Sequence, residues 1–413
     1  CGLFGFYRNT RMSAPVKFKA DGIENLILSH RNQYNPDYPA VWQDDSFVLD
    51  SHFRMPGHGV AVYHNSRLGV GAFEINAGVR VDYEKVSLDY RNHAETGYDT
   101  YRREPDGTLV LHASHPLVVG GTGSLDRSFL QVLPKVSVSW LIPGLQESTL
   151  YATVSKGFKS GGFNTQMFSD VLQQDLMAKM GMSAPYDVDE VVAYRPEKSW
   201  NYELGAHVDL CDGMLRLDGA AFFIDCRDQQ LTMFPAGSTT GRIMTNAGRT
   251  HSRGVEIAAT VSPSADLTVN ASWGYTHATF QEFNDGRSDY SGKRLPYAPA
   301  NTLFVGAQYV VPFGKTDGLS SLLINVGLRG VGDIYWNEAN TVRQPFYALL
   351  NAAVEYRYKN MSLRLWGENL TDKSYDTFYF VSIGNAFVQR GMPWRVGATF
   401  RINFQLPSDN SHM

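Results

Sequence analysis

The 413-residue sequence has no run of eighteen or more apolar residues, so no part of it reads as a membrane-crossing helix. Cysteine is nearly absent. Cys1, Cys211 and Cys226 are the only three, and an odd number without metal-ligand spacing excludes a disulfide framework. Neither sign of charge dominates: 37 Lys and Arg stand against 41 Asp and Glu, the net charge is -4, and nothing argues for nucleic acid as a partner. No GxSxG, HExxH, CxxC or Walker-type motif occurs, and no Ser, His and Asp set can be assembled by spacing. Enzymatic activity is therefore not expected, nor is a resident cofactor or metal. A secretory signal is missing from the first residues, and the chain is read as mature or cut. Cys1 at its head fits a lipid-bearing cysteine or a cut that happens to fall there.

What the sequence does have is aromatics (13%), 38 Gly, and strict alternation. Trp394, Val396, Ala398, Phe400, Ile402 and Phe404 alternate with Arg395, Gly397, Thr399, Arg401 and Asn403. The same period of two recurs in 73–83, 202–210, 267–276, 322–329 and 350–358, and it puts one set on each face of a strand. About fourteen strands can be counted from 1–11 to 392–404, many roughly 12–16 residues long where soluble strands run about 5–6. Their connections alternate between short (65–69, 143–147, 212–213, 263–266, 314–318, 359–360) and long (13–57, 92–126, 160–196, 229–248, 281–295, 333–344, 371–391). Short turns at one end, long loops at the other and aromatics such as Trp140, Trp273 and Tyr275 near strand ends are the pattern of an outer-membrane barrel. The expectation is an all-β fold, a transmembrane antiparallel β-barrel over 1–404 with 405–413 a polar tail or added remnant. The first strand rises toward the long loops and the last descends from them. In one loop, Val171, Leu172, Leu176 and Met180 predict a short helix within 168–182, capped by Ser169, whose stripe packs the loop on itself.

Several stretches carry a family resemblance. "YATVSKGFKSGGFN" (151–164), "YRPEKSWNYELG" (194–205), "NAGRTHSRGVEIAATV" (246–261), "GENLTDKSYDTF" (367–378) and the final strand resemble, in the same order, segments of the barrel of TonB-dependent outer-membrane receptors. Residues 1–150 match in style only. The resemblance implies a barrel of twenty-two strands around an N-terminal plug, an outer-membrane location, and TonB as a partner acting through the plug. No segment here reads as a plug or its TonB-binding box, and roughly eight leading strands would be missing. The expected partners are therefore outer-membrane lipid, a plug and leading strands on the same receptor or a second chain, and TonB. A surface lipoprotein remains a further candidate.

In such a barrel the apolar set faces lipid, where a midplane charge costs roughly 2–4 kcal/mol, and the polar set faces the lumen. Arg80, Glu203, Arg216, Glu256, Arg329, Arg357, Arg364, Glu368, Arg395 and Arg401 belong to that lumen set. Its mixed signs suit docking of an internal plug better than selection of small ions. Ligand capture falls to the loops. The candidates are Tyr98, Tyr101, Arg102 and Arg103, then Phe163, Asn164 and Gln166, then Trp336, Asn337, Tyr375, Tyr379 and Gln389. Aromatics with Arg suit a flat anionic ligand such as a ferric chelate. His112 and His115 are read as solvated loop histidines rather than metal or haem ligands. The leading expectation is a TonB-dependent transport receptor for a scarce nutrient, a ferric siderophore first, with haem, cobalamin, saccharide and peptide as other substrates. The alternative from a different class is a passive, porin-like channel.

Overall fold

A computed structural model describes the chain except residues 146, 234–242, 247, 286–287, 314–319, 383–384 and 405–413. Fourteen strands form one antiparallel meander: β1 (Gly2–Ser13), β2 (Ser46–Val70), β3 (Phe73–Arg103), β4 (Thr122–Leu141), β5 (Thr149–Lys159), β6 (Glu197–Leu210), β7 (Leu215–Arg227), β8 (Arg249–Ser264), β9 (Leu267–Glu282), β10 (Asn301–Phe313), β11 (Ser320–Gly332), β12 (Tyr347–Tyr358), β13 (Met361–Glu368) and β14 (Arg395–Ile402). Each of β2 to β13 pairs with the one before it and the one after it. The number matches the sequence reading. Every odd strand is followed by a long connection and every even one by a short one, so all the long loops lie at one end. Among the described residues, β1 is paired along the sheet only with β2, and β14 only with β13. The short connection expected at 314–318 and the polar tail at 405–413 lie outside the described residues.

Three details differ from the sequence reading. The turn expected at 65–69 is strand. Leu68 and Val70 continue the alternation, Val70 faces Phe73 across the ladder, and the reversal falls on Gly71 and Ala72. Gly71 takes a φ of +59°, a conformation that costs glycine nothing. Second, the expected loop 92–126 is largely strand, and 13–57 mixes strand (Val16–Lys19, Ala40–Trp42 and the start of β2) with helix over 20–34. β2 is 25 residues long and β3 is 31, and Leu109–Val119 adds a further strand along Ala94–Arg103. Their far ends stay paired because they have a core of their own: Trp42, Phe47, Leu49, Ala94, Tyr98, Leu117 and Val119 pack with Ile23, Ile27 and Leu28. Third, the loop helix forms over Phe168–Lys179, and Val171, Leu172, Leu176 and Met180 are buried as expected, but its N-cap is Met167 rather than Ser169.

The alternation partitions the sheet into two faces. One carries Val60, Leu130, Leu204, Ile257, Val396 and Phe400, each at least half exposed. So much open apolar surface has no aqueous rationale and fits hydrocarbon. On the other face, aromatic rings lie over glycines on the neighbouring strand: Tyr151 opposite Gly205, Phe222 opposite Gly254, Trp366 opposite Gly397. A Cβ added at Gly397 would lie 2.7 Å from Trp366 Cε2, and one at Gly254 would lie 2.5 Å from Phe222 Cζ. These glycines leave room for a ring to lie flat against the wall.

Gly397→Leu is expected to cost about 1–3 kcal/mol through overpacking, and Trp366→Ala in the same chain should restore most of it. The folded fraction of the refolded receptor, read as heat-modifiable electrophoretic mobility, checks this. A Gly397→Leu protein that folds as fully as the parent would refute the packing role.

Candidate functional site

The strand register places Arg80, Glu203, Arg216, Glu256, Arg329, Arg357, Arg364, Glu368, Arg395 and Arg401 on the face opposite the apolar set. Many of these charges are engaged within the wall. Arg80 bonds Asp82 through two nitrogens at 2.7 Å, Arg216 reaches Asp209 at 3.1 Å, Arg357 reaches Glu355 at 2.8 Å, and Arg395 reaches Glu368 at 2.5 Å. Tyr151 donates its hydroxyl to Glu203 at 2.8 Å. Arg364 and Arg401, by contrast, line a groove of about 550 Å³ together with Asn270, Gln308, Asn325 and Asn351. Among the described residues neither guanidinium makes an ion pair or side-chain hydrogen bond, which leaves this stretch of wall rich in unspent donors.

At the long-loop end, four connections converge on an aromatic crevice of about 410 Å³. The β7–β8 connection supplies Gln229, Gln230 and Leu231, the β9–β10 connection Phe283, Tyr290 and Tyr297, the β11–β12 connection Trp336 and Asn337, and the β13–β14 connection Tyr379 and Phe380. Tyr297 is the hub. Its ring meets Trp336 edge-on at 5.3 Å and stacks near Phe378 at 5.7 Å, and its hydroxyl donates to the Tyr379 carbonyl. Phe283 lies 4.8 Å from Phe280 and 5.6 Å from Tyr290. Burial pushes the Tyr290 hydroxyl above its ordinary range, so it stays protonated and donates to Asp285 at 3.2 Å. Asn337 shapes its own turn: its Oδ1 accepts from the Thr341 and Val342 backbone N–H groups at 3.0 and 3.2 Å, and its Nδ2 donates to Thr341 Oγ1 at 2.7 Å. Such an arrangement offers flat apolar walls with a few fixed polar atoms, the usual make-up of a small-molecule site.

Of the sequence candidates, Trp336, Asn337 and Tyr379 come together here. Tyr375 sits lower, stacked on Tyr347 at 4.5 Å, and Gln389 belongs to the strand pairing of the same loop, opposite Phe378. The others lie elsewhere. Tyr98 is buried between Trp42 and His115, with ring centroids 6.0 and 4.6 Å away, and carries the Arg31 guanidinium over its face. Tyr101 lies on the same projecting strand, its N–H donating to Pro39 O at 2.9 Å. Arg102 pairs with Glu104 at 2.6 Å, and Arg103 donates to the Pro36 carbonyl at 3.4 Å. Phe163 is buried against the loop helix, the Asn164 N–H donates to Val192 O at 2.8 Å, and the side chain of Gln166 lies outside the described ones. His115 bonds Thr100 at 3.1 Å while His112 packs edge-on against Tyr38 at 5.0 Å. Sequence reasoning missed Tyr290, Tyr297 and Phe380. Their signal was the density of aromatics in 283–297 and 375–380.

The family model for the TonB dependent receptor-like β-barrel matches residues 3–370. The chain belongs to that family. The match reaches back through the leading strands, where the sequence alone showed likeness only in style. It puts the strands in the outer membrane, and it is a family of receptors rather than of enzymes. The chain is 26% identical over 335 residues to the pesticin receptor of Yersinia pestis, covering 80% of this chain and 42% of that protein. It is 29% identical over 396 residues to the ferrioxamine receptor of Yersinia enterocolitica, covering 85% and 52%. Among solved structures, the ferric yersiniabactin uptake receptor from Yersinia pestis superposes with a TM-score of 0.54 at 19% identity, covering 89% of this chain and 55% of that one. The ferric preacinetobactin receptor from Acinetobacter baumannii gives 0.52 at 14%, covering 96% and 60%. These likenesses show the fold. The chain spans about half the length of the curated relatives it matches.

Asn337→Ala should loosen the β11–β12 connection, since three hydrogen bonds to Asn337 go at about 1 kcal/mol net each. Limited proteolysis should nick 333–346 faster and Trp336 fluorescence should shift red. Cleavage at the parent's rate would show that the turn does not depend on this side chain.

Proposed function

We propose that this chain is the greater part of the barrel of a TonB-dependent receptor that captures a ferric siderophore in the loop crevice and imports it to the periplasm. The observation that carries this reading is the aromatic crevice built by four separate loops above a wall of this family. Its flat faces, centred on Tyr297 and Trp336, suit a compact chelate with apolar edges. Relatives named as receptors for ferrioxamine and pesticin, and a structural neighbour named for ferric yersiniabactin uptake, support the substrate class.

The rest of such a barrel has a place to attach. β1 and β14 each keep one edge free of partners among the described residues, and unpaired backbone in hydrocarbon costs several kcal/mol per group. Leading strands of the same receptor, or of a second chain, would continue the sheet from β1 to β14. A plug within the closed barrel would meet the donors of Arg364 and Arg401. TonB, acting on that plug with inner-membrane energy, would open a path along the polar face.

The test is binding of a panel of ferric siderophores, haem and cobalamin to the complete receptor. At least one ferric siderophore should bind, and Trp336→Ala and Tyr297→Ala should each weaken it about three- to tenfold, the loss of one aromatic contact. Failure of every iron compound would remove the substrate class while leaving the family intact. Unchanged affinity in both variants would move the site away from the crevice.

A further inference from the structure

The aromatic crevice carries charge of one sign only. Asp285 and Glu338 are among its lining residues, and among the described residues no Lys, Arg or His lines it. The expectation of an anionic ligand leaned on Arg102 and Arg103. Both lie on the projecting hairpin, one paired with Glu104 and the other bonded to the Pro36 carbonyl. The cations that flank the crevice in sequence are placed elsewhere. Lys293 is exposed outside the lining, Arg294 reaches His277 at 3.1 Å, and Arg343 pairs with Asp333.

The polar atoms of the wall lean the same way. Several donors are already spent: the Tyr290 hydroxyl on Asp285, the Tyr297 hydroxyl on the Tyr379 carbonyl, and the Asn337 amide on Thr341. The Gln230 amide donates to the Ser160 and Arg195 carbonyls at 2.9 and 3.0 Å. Gln229, by contrast, keeps a buried Oε1 without a partner. Burial first, and then the charges of Asp285 and Glu338, resist ionisation of the Tyr290 hydroxyl, so the field at that ring is one of carboxylates. The two acids differ in what they have left to give. Asp285 is buried and accepts from the Ser288 N–H at 2.8 Å and from Tyr290. Glu338 is exposed, and its carboxylate has no ion pair or hydrogen bond among the described residues.

We propose that the crevice selects by charge, taking a ferric siderophore that bears a free ammonium group ahead of neutral or anionic chelates, with Glu338 as the residue that sets the preference. This rests on the reading of the crevice as the capture site. The body of the chelate lies against the rings of Tyr297 and Trp336. Its ammonium goes to the open carboxylate of Glu338, and the electron-rich faces of the tyrosines and Trp336 attract the same cation. An anionic chelate would meet two carboxylates with no basic group to offset them, and like charge brought together in a partly dry crevice is penalised. Rejection of the wrong sign is therefore as much a part of the specificity as attraction of the right one.

The complete receptor is titrated with ferrioxamine B, whose ferric complex carries one terminal ammonium, and with the same complex N-acetylated or N-succinylated, and binding is read by quenching of intrinsic fluorescence. The iron core stays constant while the charge runs from positive through neutral to negative. Affinity should fall in that order, by about tenfold from first to last, and the spread should shrink as salt rises. Glu338→Gln should weaken the cationic complex about threefold and leave the acetylated one unchanged, which reports an intact crevice. Glu338→Lys should bring the succinylated complex level with the cationic one or above it. Equal affinity of the parent for all three, or tightest binding of the succinylated complex, would overturn the charge preference and leave siderophore capture standing. If the receptor refuses this hydroxamate core, the panel of ferric siderophores carries the test, and a bound set without a cationic member overturns the preference. Binding of no iron compound at all defeats siderophore capture itself, and the preference with it.

Discussion

Everything in this chain hangs on the backbone ladder. In hydrocarbon no water can satisfy a stray N–H or C=O, so each strand must be held by two neighbours for as long as it is in lipid. The thirteen consecutive pairings from β1 to β14 meet that condition everywhere except at the two outer edges. The side chains then have only to suit what lies on each face. Apolar ones meet lipid, polar ones the interior, and glycines opposite Tyr151, Phe222 and Trp366 let rings lie flat.

That constraint explains what could be read from the sequence. A two-residue period is local, so strands such as 202–210 and 267–276 announce themselves without any partner being known. Their turns are equally local, and Lys359–Asn360 or Cys211–Gly213 reverse the chain where expected, with positive φ at Lys359, Cys211, Asp212 and Gly213. The period does not say where lipid ends. Strand residues such as Phe47, Leu49 and Leu117 alternate in a small water-facing core much as they would in a membrane, which is why the outer halves of β2 and β3 were read as loop. Nor does it show register. The glycine and aromatic partners sit about 30–55 residues apart and meet only across a ladder.

The site was legible in part for the same reason. Trp336 and Tyr379 stood out as aromatics in long loops, and they do meet. Tyr98, Arg102 and Arg103 looked equivalent in sequence, yet tertiary packing spends them on a stacked core, an ion pair and the carbonyl of Pro36 in an adjacent turn. Tyr297, the hub of the crevice, shares the aromatic density of 283–297 with Phe283 and Tyr290, and nothing in the sequence sets it apart from them. Its role comes from three loops converging, which no single segment records.

The length of the β2–β3 hairpin has a mechanical side. At about 3.3 Å per residue, the 31 residues of β3 make roughly 100 Å of extended chain, whereas a tilted span uses only about 9–11. Most of the strand therefore stands clear of the bilayer as a braced mast, stiffened by Leu109–Val119 along one side and by a buried aromatic stack near its far end. A macromolecule approaching from outside would touch this mast well before it reached the crevice, and a force applied to its tip would be carried by continuous hydrogen-bonded strand straight into the wall.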